Sequence, residues 1–270
     1  MSSSSKLEQL AVKLAQDGRL SEANKFIKGS ADMNAALIGY PALLASAILR
    51  AVGGSSKLKL ILVILSFKLK QKTGKSLPIR LNGLIALGNR LKTLYSHLSD
   101  IRTFIRLWGS LDYAEWAVSS LNNKNPDKVL RYVDYGQIVA CMLYQVLENI
   151  AYVGSHGIIA MSTPVENRLW SVSCIMWAIH VQLDFIKFIR ERQLRKKLEA
   201  EQGEKADADA IKLADKEWLR MVLVNCCYTP LSIHWSFETG FLPDFLVGAF
   251  GTFAVINKAV PKWKSLLGCK

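Results

Sequence analysis

Four histidines, His97, His156, His180 and His234, are the side chains best suited to acid–base or metal chemistry, and they are scattered along the chain. Within the apolar runs, His180 has a carboxylate at useful spacing. Asp184 lies four residues on, so the two share a helix face and could supply two corners of a metal site. Two ligands do not make a site, and a polar pair at a helix contact is the simpler reading. The chain has no phosphate-binding loop, no nucleophile elbow and no zinc spacing, so neither a catalytic residue nor a cofactor is expected. The five cysteines (Cys141, Cys174, Cys226, Cys227, Cys269) form no C-x-x-C pair, and most lie in apolar runs, as buried thiols of a reducing compartment do. The sharper oddity is Glu148-Asn149, which with Gln145 interrupts the apolar run "IVACMLYQVL". A carboxylate in such a segment invites a functional reading. A hydrogen bond at a helix-packing seam is the plainer one.

The elements that must position these residues are helices. Apolar residues recur at three- and four-residue steps, and alternating runs between tight turns are absent, so the fold class is all-α. Residues 6–28 are expected to form a solvated amphipathic helix, and 31–51 a more apolar one broken at Gly39-Tyr40-Pro41. Five regions follow: an N-terminal helical extension (1–56), basic membrane-binding amphipathic helices (57–121), an apolar helical pair (122–198), a charged linker (199–217), and a hydrophobic hairpin with a basic tail (218–270).

Half the 270 residues are hydrophobic and the formal net charge is +13, which points to an anionic partner. No Asp or Glu occurs from Met33 to Ser99, whereas ten Lys and Arg do. Within that stretch "KLKLILVILSFKLKQK" (57–72) has an apolar middle flanked by lysines. It is too short for a bilayer, which needs roughly 20 residues. It reads as a core helix or as a helix at a lipid surface, and the missing acids favour the surface. The helix over 80–111 carries one stripe: Leu84, Leu87, Leu91, Leu94, Leu98, Ile101, Ile105, Trp108 and Leu111. These residues, up to Trp108, are the candidates for membrane insertion. Lys57, Lys59, Lys68, Lys70, Arg90, Lys92, Arg102 and Arg106 are the candidates for binding anionic phospholipid. Nucleic acid is a poor fit, because the acid-free stretch is aliphatic and holds only Tyr40, Phe67 and Tyr95 as aromatics.

The segment "TPLSIHWSFETGFLPDFLVG" (229–248) places Pro, Gly, Glu238 and Asp244 between two apolar runs whose outer ends are basic. The charge asymmetry predicts a membrane-seated hairpin with its acidic turn away from the cytosol. An N-terminal signal core is not expected in Met-Ser-Ser-Ser-Ser, and the two Ser-Lys-Leu tripeptides are internal, so neither acts as a C-terminal import signal.

Three stretches then carry a resemblance: "SDIRTFIRLWGSLDYAEWAVSSL" (99–121), "VLRYVDYGQIVACMLYQVLENIAYVGSHGII" (129–159) and "TPLSIHWSFETGFLPDFLVGAFG" (229–251). Their order and spacing resemble the peroxin eleven family of peroxisomal membrane-elongation proteins. The match runs from about Pro78 to Ile256, and residues 1–56 extend beyond it. The resemblance implies a non-enzymatic protein of the peroxisomal membrane that promotes elongation and division, self-associates as a homo-oligomer and recruits fission machinery. Either helix 57–72 or helix 80–111 would take the family's lipid-inserting place. A solute channel lined by Glu148, Asn149, His180 and Asp184 is the alternative.

Overall fold

The computed structural model describes residues 25–74, 81–203 and 207–267. The predicted helix over 6–28 lies outside them up to residue 24, and residues 25–29 are helical. Lys75 and Arg80 of the basic stretch also lie outside. The described residues form helices and contain no strand. They are α1 (Ala31–Gly54), α2 (Ser56–Thr73), α3 (Leu81–Ile105), a 3-10 turn (Arg106–Trp108), α4 (Gly109–Asn122), α5 (Lys128–Ser155), α6 (Thr163–Gln202), α7 (Ala208–Trp235) and α8 (Asp244–Leu267).

Helix α1 packs along both α3 and α8, making one layer, and α5, α6 and α7 pack in chain order as a second. The α7–α8 hairpin joins the layers. The core sits at that join: Ala36, Tyr40 and Leu43 of α1 meet Val247 and Val255 of α8 and Leu231 of α7. Trp177, Tyr228 and Trp235 close its edge.

The expected break at Gly39-Tyr40-Pro41 does not occur. Helix α1 runs through Pro41. Proline in a helix interior removes one backbone bond and crowds the preceding turn. Here Tyr40 and Leu43 on that same turn are buried against two other helices, and their packing offsets the loss. The single helix expected over 80–111 is instead divided. Asn149 of α5 donates to the Leu107 carbonyl (3.0 Å), so the α-helical ladder gives way to the 3-10 turn there.

Of the charged stretch 199–217, residues 199–202 belong to the end of α6 and 208–217 to the start of α7. Arg195 pairs with Asp215, and Arg192 lies 4.0 Å from the centre of the Trp218 ring. The Trp218 indole donates to the Phe188 carbonyl (2.9 Å). The result is an antiparallel arm of two helices.

The hairpin turn lies where its composition predicts, over 236–243. His234 Nδ1 accepts hydrogen bonds from the backbone N–H groups of Phe241 (2.8 Å) and Leu242 (2.9 Å). Gly240 has φ +59° and sits over the His234 ring, where a Cβ would meet Cε1 at 2.2 Å, so both its backbone angle and its space require glycine.

Helix α5 starts at Asp127, whose carboxylate accepts from the Leu130 N–H (3.0 Å) and pairs with Arg190 of α6 (2.7 Å). The Arg190 hydrogen bond, then the Leu130 N–H, hold its carboxyl down at about 2. A depressed carboxylate stabilises the fold above its ordinary value near 3.8 and loses that contribution as pH falls towards about 2. In Asp127→Asn, melting temperature followed from about pH 5 to about pH 2 should show a shallower fall than wild type. An unchanged slope would mean that the Asp127–Arg190 pair adds nothing to stability.

Candidate membrane-contacting surface and buried polar seam

Among the described residues, three helices are long and apolar enough to cross a membrane: Ala31–Gly54, Lys128–Ser155 and Thr163–Glu201. The two helices of the C-terminal hairpin are not among them. The mainly apolar run of α8 from Phe245 to Ile256, which includes Thr252, is about 18 Å long at helical rise, short of a hydrocarbon core of roughly 30 Å.

Helix α5 buries three strongly polar side chains among its apolar ones and leaves large apolar side chains exposed. Gln137 and Gln145 are 1% exposed and Glu148 is 4% exposed. On the outside stand Tyr132 (72%), Val139 (59%), Leu143 and Val146. Water favours the reverse arrangement. A helix that buries two amides and a carboxylate and displays Val139, Leu143 and Val146 matches an apolar solvent outside and a polar seam within.

The seam is an ion-pair network joining α1, α3 and α5. Arg106 spans it, donating to Asp32 Oδ1 of α1 (2.9 Å) and to both carboxylate oxygens of Glu148 (2.9 and 2.8 Å). Arg102 reaches Asp32 (3.1 Å) and the Tyr40 hydroxyl (3.3 Å). Tyr144 donates to Glu148 (2.8 Å), and Gln145 to Asn149 (2.7 Å). At the other end of α1, Asp244 of α8 receives Arg50 and Lys92 (2.7 Å to Lys92). Burial raises the Asp244 carboxyl, but the hydrogen bonds from Lys92 and Arg50 outweigh it and hold the group below its usual value.

These contacts sort the sequence-predicted residues into two groups. In the α3 stripe, Leu84, Leu91, Leu98 and Ile105 form one seven-residue row that is half-buried. Leu98 packs on α1, where a Cβ built at Gly39 would lie 3.6 Å from Leu98 Cβ. Leu87, Leu94, Ile101 and Trp108 form the neighbouring row, which is exposed, and Trp108 most of all (69%). Phe104, Leu111, Val118 and Leu121 extend this outward surface. Of the cations, Lys57, Lys59, Lys68, Lys70 and Arg90 are exposed. Arg102 and Arg106, assigned from sequence to phospholipid, point inward to carboxylates, and Lys92 is shared with Asp244. Sequence reasoning missed Asp32 and Tyr40, which sit 62 to 74 residues from the arginines they hold. Nothing local marks them, beyond Asp32 being the last acid before the acid-free stretch.

The residues considered for a polar path fall into two separate sets. Glu148 and Asn149 belong to the seam, and Asp184 accepts from Gln137 (2.7 Å) beside His180. Among the described residues, no group of three His, Cys, Asp or Glu side chains is arranged to hold a metal ion.

The family model described as Peroxisomal biogenesis factor 11 (PEX11) matches residues 82–256. An uncharacterized protein of Schizosaccharomyces pombe is 31% identical over 114 residues, which is 42% of this chain and 50% of that protein. The chain thus matches about half the length of this curated relative. No solved structure matches. Helices α1 and α2 precede the matched residues, so the partner that supplies Asp32 lies outside the family match.

Proposed function

The chain belongs to the PEX11 family of peroxisomal biogenesis factors, which are peroxisomal membrane proteins and not a known enzyme family, and from that premise we propose that it drives elongation and division of the peroxisomal membrane by wedging apolar helix surface into one leaflet. The observation that carries this reading is the exposed row Leu87, Leu94, Ile101 and Trp108, on a helix whose adjacent row is already occupied by α1. A row presented while its neighbour is packed is surface with work left to do. Pushed roughly 5–10 Å into a leaflet, such a helix expands the headgroup side and bends the bilayer. Arg90 and the α2 lysines concentrate the protein on anionic phospholipid before insertion, at about 1 kcal/mol per cation near the surface. Self-association would array the wedges along a tubule, and recruitment of fission machinery would cut it. Both steps are part of the proposal.

The two rows give the test. Leu94→Asp with Ile101→Asp should abolish tubulation of anionic vesicles by the full-length protein while leaving its thermal unfolding within a few degrees of wild type. Leu98→Asp, on the packed row, should instead lower stability, because it buries a carboxylate against α1. Tubulation that survives the double substitution would refute the wedge.

A further inference from the structure

Helix α2 has no extended packing against any other described helix. Its middle is also unusual in how charge is distributed. Leu60, Ile61, Val63, Ile64, Leu65 and Phe67 are all at least 46% exposed. Going round the helix at 100° per residue, these six span more than half its circumference. The lysines do not form an opposing polar face. Lys57 and Lys68 are eleven residues apart, about three turns, so they lie on one line along the helix, and Lys59 and Lys70 lie on another. The first line runs over Ile61 and Ile64 and the second over Val63 and Ser66, so each has a lysine at both ends and no charge between. Charge is segregated along the axis, whereas a helix floating half in water segregates it around the axis.

This arrangement limits the seating. The apolar middle is about 12 Å long, less than half the roughly 30 Å of a hydrocarbon core. Standing upright in one leaflet, the helix would strand one pair of lysines near the bilayer midplane. Floating half-exposed, it would leave much of its apolar middle in water. Lying parallel to the membrane but below the headgroups, it satisfies both ends, because each lysine stem runs through the acyl region and lifts its ammonium to the phosphates. A protein groove would have to supply acids at both ends of the apolar middle, whereas an anionic leaflet offers phosphates everywhere. Ser55 at the N-cap and Gly74 at φ +71° at the C-cap bound the helix as a unit.

We propose that α2 is a submerged anchor: a helix lying wholly beneath the headgroups of one anionic leaflet, hung from them by Lys57, Lys59, Lys68 and Lys70. The anchor lies outside the residues matched by the family model. It rests on the membrane reading above but not on the α3 wedge.

The test is a nitroxide scan in the full-length protein with its five native cysteines changed to serine, bound to phosphatidylcholine vesicles with and without phosphatidylserine. Labels at 60, 62, 64 and 67 should all collide with oxygen and be shielded from a water-soluble nickel chelate, with no steady trend in depth along the helix, while labels at 57 and 70 meet the chelate. Without phosphatidylserine the four central labels should become accessible to the chelate. A chelate pattern repeating every three to four residues would mean a half-exposed surface helix. Shielding from both reagents would mean a protein contact, and a depth that changes steadily along the helix would mean an upright one. Each of these overturns the proposal. A label at Ile101, in a parallel sample, reports the wedge separately, so failure of one reading is distinguishable from failure of the other.

Discussion

Arg106→Met is expected to destabilise the folded protein by about 3–5 kcal/mol, the cost of breaking a buried ion pair from one side. The Glu148 side chain is only 6% exposed, and Arg106 supplies two of its hydrogen bonds and its countercharge. With the arginine gone, Tyr144 and Gln145 remain as neutral donors, and a carboxylate is left in a dry seam without a cation. Arg102→Met should cost far less, about 0–1 kcal/mol, because its carboxylate partner Asp32 is 36% exposed and keeps Arg106. The double substitution Arg106→Met with Glu148→Leu should recover much of the loss, since replacing both members of a buried pair by apolar groups is often neutral. Denaturant titration of the detergent-solubilised protein, read by tryptophan fluorescence, checks all three. Equal losses for Arg102→Met and Arg106→Met would show that Glu148 is not the group at stake.

The seam also bears on the membrane reading. A polar network joining α1, α3 and α5 makes the helices specific for one another where the surrounding solvent is apolar and cannot drive them together. The same side chains would be an expensive choice at the centre of a water-soluble bundle. The buried Glu148 and the exposed Val139 and Val146 of α5 both fit an apolar solvent.

How far this was legible from sequence depends on the range of each signal. Helices α3 and α5 and the turn between α7 and α8 could be read because period, proline and glycine act within a few residues. Spacing marks the α3 stripe as apolar but does not divide it into two rows with different destinations. Periodicity gives a face, and only the partner decides which part of it is covered. Arg102 and Arg106 look from sequence like the rest of the basic stretch. Asp32 claims both of them across 70 and 74 residues, and no local pattern carries that information. The break expected at Pro41 failed for the same reason, since the packing that offsets the proline comes from α3 and α8.

Gly251→Leu should expel α1 from its place between α3 and α8. A Cβ at 251 would lie 2.2, 2.5 and 2.6 Å from three atoms of the Tyr40 ring, closer than any real contact. The ring has nowhere to swing. It is buried beside Tyr95, with centroids 5.9 Å apart, and its hydroxyl is held by Arg102. One turn earlier, a Cβ at Gly248 would meet the Leu44 backbone nitrogen at 2.6 Å, so α8 has no side chain to trim and α1 no backbone to yield. Overpacking of this kind costs roughly 1–3 kcal/mol even when relaxation is possible, and the helix-propensity gain of replacing glycine is only about 1 kcal/mol. Gly83→Ala in α3, where the new methyl meets nothing within 4 Å, isolates that gain and should stabilise instead. The position of α1 can be read directly. Cysteines at 39 and 98 would have their Cβ atoms about 3.6 Å apart, inside the roughly 3.5–4.5 Å range for a disulfide. That crosslink should form readily in the Gly251 protein under mild oxidation and fail in Gly251→Leu. If it formed equally in both, α1 would not be held by the close approach of α8, and the clasp around Tyr40 would lose its role in placing α1 against the packed row of α3.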